Sequence, residues 1–174
     1  MKNTSYIFSL AAAVILVSCQ ETIDIEKEKE AIIKVINAET DAYLARDFEA
    51  MYATHVHDSL NMRLTAGADS YVFLEGWEDV SKHMSGDQTE DDLGPDLHIK
   101  VEKSNYRMKV YPHSAFVVCD QKWTSDFGDG INEINSIQVR FLEKIEDQWK
   151  ISFVSFIGTS GYEEQEEPED LSEE

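Results

Sequence analysis

The spacing of the apolar positions changes part-way along the chain. At first the apolar residues recur every three or four positions, which places them on one side of a helix: Ile25, Ile32, Ile33, Ile36, Tyr43 and Leu44. Asp47 then provides the N-cap of a second, short helix. The buried side of that helix consists of Phe48, Met51 and Tyr52. The pattern therefore predicts two consecutive helices with a break at Arg46-Asp47.

Beyond the second helix, apolar and polar residues alternate, as they do in strands. Short strands are expected at residues 55–64 and 71–74, followed by a small helix at 78–84. Residues 85–96 form a loop by composition, because they are rich in glycine and acids. Four longer strands are then expected, separated by turns, at residues 97–111, 115–125, 131–145 and 149–158. This order predicts an α+β domain whose helices precede a meander of antiparallel hairpins.

The amino terminus has the features of a secretory signal. Lys2 precedes an apolar run over residues 6–17, and about 12 residues are too few for a permanent membrane span, which needs about 20. The run ends in Leu16-Val17-Ser18-Cys19, which resembles the lipobox of bacterial lipoproteins. The resemblance implies a signal peptide at 1–18, a lipid on Cys19 and a short tether at 19–24. It also implies a bacterial cell-envelope protein anchored to a membrane, either periplasmic or surface-exposed. The alternative is an ordinary cleaved signal or a chance cysteine.

Charge and cysteine usage narrow the function classes. The net charge is −20, which argues against binding nucleic acid and against docking on an anionic membrane through protein charge. Residues 161–174 hold much of that excess and are expected to be a disordered, solubilising tail. With Cys19 acylated, Cys119 has no intramolecular partner, so no disulfide framework is expected. We interpret Cys119 as a small buried hydrophobe rather than a reactive thiol.

Three segments, in this order and spacing, resemble the nuclear transport factor 2-like superfamily in its SnoaL-like bacterial branch. They are residues 45–52 (ARDFEAMY), 75–80 (EGWEDV) and 141–151 (FLEKIEDQWKI). The resemblance implies a cone-shaped domain over residues 25–160, in which a strongly bent antiparallel sheet wraps over about three N-terminal helices. It also implies a pocket at the open end of the cone. Members of the superfamily include isomerases, cyclases, dehydratases, non-catalytic binders and association modules, so the fold does not choose a function.

Strand alternation predicts which residues face the inside of the cone. The expected inward sets are Val117, Cys119, Gln121 and Trp123; Ile137, Val139 and Phe141; and Ile151, Phe153, Ser155 and Ile157. With aromatic residues of the walls and rim, they give the predicted ligand-binding residues: Tyr43, Trp77, Cys119, Gln121, Trp123, Asn135, Phe153 and Ser155.

The opposite face of the sheet is also partly apolar. It is expected to carry Phe116, Val118, Val154 and Phe156 among charged residues. A half-apolar outer face suggests a homodimer formed through the convex side of the sheet, which the superfamily often forms.

His55 and His57 are the candidate catalytic residues. Two histidines at i and i+2 of a strand point the same way and could approach one metal, but no third ligand stands at motif spacing, so no metal site is predicted. General acid–base work by His57 is the other possibility, although a neighbouring Asp58 on a strand would point away from it. A pair of polar residues at a helix-to-strand junction is the structural alternative.

Three functions remain open on the sequence. The first is non-catalytic binding of a small apolar or amphipathic molecule in the cone, and the second is homodimeric association at the cell surface. The third is an isomerase, dehydratase or hydrolase that uses a pocket histidine as general base. No cofactor is implied by any motif.

Overall fold

The computed structural model describes residues 23–86, 98–126 and 130–159. The predicted signal peptide, the predicted lipid on Cys19, most of the tether and the acidic tail lie outside these residues. Within the described ranges, no helix is both long enough and apolar enough to cross a membrane.

The described residues contain three helices, α1 (Ile25–Leu44), α2 (Phe48–Tyr52) and α3 (Trp77–Gly86). Asp24 caps α1 by accepting a hydrogen bond from the backbone of Lys27, and Asp47 caps α2 through Ala50 at 2.9 Å. Between them Arg46 has a φ of 56°, the left-handed conformation that ends a helix.

The described residues also form a six-stranded sheet in the order β2-β1-β6-β5-β4-β3. Its strands are β1 (Met62–Ala66), β2 (Tyr71–Glu75), β3 (His98–Val110), β4 (Ser114–Asp126), β5 (Ile131–Ile145) and β6 (Gln148–Gly158). The predicted α+β cone is confirmed, because the sheet is curved, unclosed and packed against the helices. One pairing differs from the expected antiparallel sheet, since β1 runs parallel to β6.

The strand predicted over residues 55–64 is wrong for its first part. His55 makes only an isolated bridge with Ile151, and the strand begins at Met62. The buried side chain of Asn61 explains the irregular backbone, because its amide donates to the carbonyl oxygens of Val56 and Ile151 at 2.8 and 3.1 Å. These bonds satisfy carbonyl groups that a regular strand would have paired.

The main core lies between the part of α1 up to Ile36 and the sheet. Its buried residues are Ile32, Ile36, Ala115, Val117, Leu142, Trp149, Ile151 and Val154. A second cluster joins the three helices through Ala42, Met51, Val80 and Met84. The two clusters leave the region beside the second half of α1 for the candidate site.

A bulge in β6 reverses the predicted orientation of its second half. The pairing with β5 shifts between Phe141 and Leu142, and the extra residue on β6 is Ser152. After the bulge Val154 and Phe156 pack against the core, so Phe153, Ser155 and Ile157 belong to the outer face. The predicted inward set for β6 is therefore correct only for Ile151.

The predicted orientation of β5 is also wrong, whereas that of β4 is correct. On β5 the buried positions are Ser136, Gln138, Arg140 and Leu142, and the expected Ile137, Val139 and Phe141 face outwards. The expectation failed because it placed the apolar set inside. Here a mainly polar set is inside, and Arg140 donates hydrogen bonds to Glu39 and Gln138.

Candidate functional site

A cavity of about 490 Å³ lies between the second half of α1, the other helices and the sheet. Its apolar lining comes from Tyr43, Met51, Val72, Met84, Trp123, Ile134 and Phe156. Tyr43 and Trp123 meet edge to face, with ring centroids 6.0 Å apart. The lining residues Tyr71 and Ile134 are 74% and 49% exposed, so they mark the mouth of the cavity.

Polar side chains line the remaining wall. They are Glu39 and Thr40 from α1, Arg63 and Thr65 from β1, Ser70 from the turn after β1, Gln121 from β4 and Ser136 from β5. Arg63 lies over the ring of Phe156, with its guanidinium carbon 4.6 Å from the ring centroid. The wall thus combines an apolar body with a few convergent polar groups, as small-molecule sites do.

A buried ion pair stands at the inner end of the cavity. Nη2 of Arg140 donates to Oε2 of Glu39 at 3.0 Å, and both side chains are buried. Burial alone would raise the pKa of the Glu39 carboxyl, but the charges of Arg140, His55 and Arg63 outweigh burial and hold that pKa well below its ordinary value. Glu39 is therefore ionised and is a weak base.

A chain of hydrogen bonds runs from Arg140 through Gln138 to Gln121, which lines the cavity. Nε and Nη2 of Arg140 donate to Oε1 of Gln138 at 3.1 and 3.0 Å. The amide nitrogen of Gln138, Nε2, therefore points away from Arg140. Nε2 of Gln138 then donates to Oε1 of Gln121 at 2.5 Å. Nε2 of Gln121 comes last and has no hydrogen-bond partner among the described residues. Because an arginine has no acceptor, the chain has one direction, and it ends at a donor of Gln121, a residue that lines the cavity.

The two histidines lie in different environments. His55 is fully buried, with Nε2 3.8 Å from Oε1 of Glu39, and it is absent from the described lining of the cavity. Burial lowers the pKa of His55, and Glu39 opposes that effect only in part. His57 is exposed, stacks on Trp77 at 4.0 Å between ring centroids, and has Nε2 2.8 Å from the carbonyl oxygen of Tyr52. The pair cannot share one metal ion, since one ring is inside and the other outside.

Of the residues predicted to bind a ligand, Tyr43, Gln121 and Trp123 line the cavity. The others do not: Trp77, Cys119, Asn135, Phe153 and Ser155. Trp77 packs against the rings of Tyr52 and His57. Asn135 is exposed.

Cys119 is a buried residue beside the glutamine chain. Its Sγ is 4.0 Å from Oε1 of Gln138, and burial raises the pKa of its thiol. Such a thiol is mainly protonated, which fits the interpretation of Cys119 as a small buried hydrophobe.

Several site residues were missed, among them Glu39, Arg63, Arg140 and Phe156. A signal for two of them exists in the sequence. Glu39 falls within the apolar stripe of α1, three residues from Ile36, and Arg140 alternates with apolar residues in a long strand. Two opposite charges at positions that should face the core indicate a buried pair.

In the described part of the chain, no group of three or more His, Cys, Asp or Glu side chains is arranged to hold a metal ion.

The fold was compared with solved structures. The β subunit of benzoate 1,2-dioxygenase from Burkholderia mallei is similar, with a TM-score of 0.65 and 13% identity over 79% of this chain and 92% of that one. A nuclear transport factor 2-like protein with a cystatin-like fold from Novosphingobium aromaticivorans gives a TM-score of 0.63 and 15% identity, covering 79% and 86%. The chain has the nuclear transport factor 2-like fold.

A candidate dehydratase of the nuclear transport factor 2-like family from Streptomyces avermitilis shares this fold with a TM-score of 0.62 and 14% identity, covering 77% of this chain and 97% of that one. The resemblance inferred from the sequence is thus confirmed for the fold. No family model matches the chain, and no curated protein matches it in sequence. At these identities, the nuclear transport factor 2-like fold is what the comparisons share with this protein.

Proposed function

We propose that this domain binds one small, mainly apolar molecule that carries a hydrogen-bond acceptor such as a carbonyl oxygen. The observation that carries the proposal is Nε2 of Gln121, a buried donor without a partner among the described residues, on the wall of an apolar cavity. An unsatisfied buried donor costs about 1–3 kcal/mol, and an acceptor on a ligand would recover that cost.

The size and lining of the cavity support the same reading. Its volume of about 490 Å³ falls within the range of roughly 300–1,000 Å³ that is usual for small-molecule sites. Tyr43 and Trp123 offer aromatic faces to a ring or chain of the ligand. The charges of Glu39 and Arg140 are already paired with each other, so the pair does not demand a charged ligand.

Binding is better supported than general-base catalysis by a histidine. His57 is outside, and His55 is enclosed behind Glu39. Glu39 does line the cavity, but Arg140 lowers its basicity. The names of the solved relatives, one a candidate dehydratase and one a dioxygenase subunit, describe those proteins.

The test is a comparison of two ligands that differ in one acceptor. Tetralone and tetralin share a bicyclic skeleton, and only the ketone can accept a hydrogen bond from Gln121. We expect the wild-type protein to bind the ketone about fivefold more tightly, which corresponds to about 1 kcal/mol for one net hydrogen bond. The measurement is competition against an apolar fluorescent dye bound in the cavity.

Gln121→Met is the variant for this test, because methionine keeps the length of the side chain and lacks the amide. In this variant the preference for the ketone should vanish while tetralin still binds. Asn135→Met, at an exposed neighbouring position, is the matched control and should keep the preference. Equal affinity of the wild type for the two compounds would contradict the proposal.

We also propose that the protein acts at a membrane of the bacterial cell envelope, through a lipid on Cys19. The support is the sequence Leu16-Val17-Ser18-Cys19 after a short apolar run. A Cys19→Ser variant should lose the added mass of the acyl groups and leave the membrane fraction. If the variant kept the added mass and stayed in the membrane fraction, the proposed lipid anchor on Cys19 would be wrong.

Homodimeric association through the outer face of the sheet is a second proposal. Four apolar residues on that face are each 36–44% exposed: Phe116, Ile137, Phe141 and Ile157. Sedimentation of a chain that starts at residue 20 should give the mass of a dimer, and Phe141→Glu should give a monomer. A wild-type monomer would reject this proposal and leave the proposal on the cavity untouched.

A further inference from the structure

A second pocket, of about 310 Å³, lies on the other side of Thr40. Its polar lining includes Asn37, Thr40 and Asp41 from α1 and Lys103 and Tyr106 from β3. Thr40 belongs to the lining of both cavities, so the two are neighbours across one side chain.

Lys103 is the basic residue in the lining of this second pocket. It pairs with Gln121 in the sheet, and its side chain is half-buried between β3 and α1. Its Nζ donates to Oγ1 of Thr40 at 2.5 Å. Among the described residues, no carboxylate oxygen lies within ion-pair distance of Nζ. A structural lysine in such a position is normally held by a carboxylate, and a hydroxyl partner leaves its charge uncompensated.

The surroundings of Lys103 lower the pKa of its amine, so more of it is neutral than in an ordinary lysine. Burial lowers its pKa to about 8, and repulsion by Arg140 adds to that effect, while Glu39, Cys119 and Asp41 oppose it. The titratable and charged groups that face it are Glu39 and Asp41 on α1, Tyr106 on β3, Cys119 on β4 and Arg140 on β5. At about pH 7.5, roughly a quarter of such a side chain is neutral, compared with about one in a thousand for an ordinary lysine.

We propose that Lys103 is a nucleophilic amine that forms an imine with small aldehydes admitted by the second pocket. The lone pair of neutral Nζ attacks the carbonyl carbon, and one proton passes from the nitrogen to the former carbonyl oxygen, which gives a carbinolamine. The hydroxyl then leaves as water with the second proton of the nitrogen, and a C=N bond forms. No oxidant or reductant is needed. Oγ1 of Thr40 is the nearest group that can accept a proton from Nζ and return it to the departing oxygen.

The test uses propanal and sodium cyanoborohydride, which reduces the imine to a stable propyl-lysine that mass spectrometry can locate. The purified protein is treated at about pH 7.5, and Lys109, exposed on the same strand, is the internal reference. We expect Lys103 to be propylated at least about tenfold faster than Lys109, because much more of it is neutral. The ratio should fall when the pH is raised above about 8, since Lys103 is by then mostly deprotonated.

Two variants separate chemistry from folding. Lys103→Arg keeps the positive charge. In this variant the peptide that contains residue 103 should carry no propyl group at that residue, while Lys109 reacts as before. Thr40→Val keeps the shape of the neighbouring side chain and should slow the propylation of Lys103, because it removes the hydroxyl at Nζ. The proposal is overturned if Lys103 in the wild type reacts no faster than Lys109 at about pH 7.5.

Discussion

The two halves of α1 cover the same sheet in opposite ways. In the part that ends at Ile36, here called the filled half, Ile32 and Ile36 are fully buried in one cluster with Leu142 and Ile151, and the space between helix and sheet is filled. In the part that begins at Glu39, here called the hollow half, Glu39, Thr40 and Tyr43 stand over a cavity. The backbone elements are the same, so the side chains decide whether the cone is solid or hollow.

The charged residues lie where the filled half meets the hollow half. Arg140 donates to Glu39 and to Gln138, and Gln138 donates to Gln121. A buried charge is tolerated only when it is paired and hydrogen-bonded, so these four side chains depend on one another. The filled half therefore provides stability. The four side chains between the halves, here called the boundary, fix the direction in which the polar groups of the hollow half donate.

The largest effect is expected from breaking the boundary. Arg140→Met leaves Glu39 as an unpaired buried carboxylate and should lower the free energy of unfolding by about 4 kcal/mol. Urea denaturation measures the change. Adding Glu39→Gln to that variant should recover about half of the loss, because the remaining group is neutral. A loss in Arg140→Met below about 1 kcal/mol would mean that the pair is not buried as described.

The next effect separates the two halves directly. Ile36→Ala removes a fully buried side chain from the filled half and should cost about 3 kcal/mol. Ile134→Ala, at the mouth of the cavity, should cost less than about 1 kcal/mol because this residue is 49% exposed. Thermal or urea unfolding of the two variants gives the comparison. Similar losses at the two positions would contradict the division of α1 into a filled half and a hollow half.

Much of the fold follows from patterns that are local in the sequence. The helical period, the break at Arg46 and the N-cap at Asp47 are each set by neighbouring residues, and each was predicted. The long strands were predicted because their alternation and turns are regular. The first part of the strand predicted over 55–64 was wrong, because Asn61 bonds to Ile151, a residue far away in the chain.

The site was predicted less completely, for two physical reasons. The bulge at Ser152 shifts the register, and its position depends on how β5 and β6 pair. In addition, Arg140 is inside because Glu39 accepts its hydrogen bond, and Gln138 is inside because it bonds to Arg140. The sequence of a single strand does not reveal such partners. Tyr43, Gln121 and Trp123 were found because their regions keep a regular period.

A smaller effect is expected from the pH dependence of the boundary. Burial lowers the pKa of His55 from about 6.5, so below that pH the unfolded chain binds a proton that the folded chain does not. The free energy of unfolding should therefore fall as the pH drops from about 6.5 towards 5, by at most about 1.4 kcal/mol per pH unit. The lowered pKa of Glu39 acts in the same direction, but only below about 4.5.

His55→Gln should flatten this dependence between about pH 7 and 5. His57→Gln is the matched control for the loss of one imidazole, since that ring is exposed and stacks on Trp77. Urea midpoints at several pH values give the slopes. The same slope in His55→Gln and in the wild type would contradict the burial of His55 beside Glu39.

The most direct test of whether Gln121 donates a hydrogen bond to a ligand is an NMR measurement on its side-chain amide. In a nitrogen–proton NMR spectrum of the labelled protein, the NH₂ signal of Gln121 is assigned by its absence from Gln121→Met. Addition of tetralone should shift this signal strongly, because the ketone oxygen accepts a hydrogen bond from Nε2, and addition of tetralin should shift it much less. If the ketone and the hydrocarbon shift this signal equally, or neither shifts it, the assignment of Gln121 as the donor to a ligand is wrong.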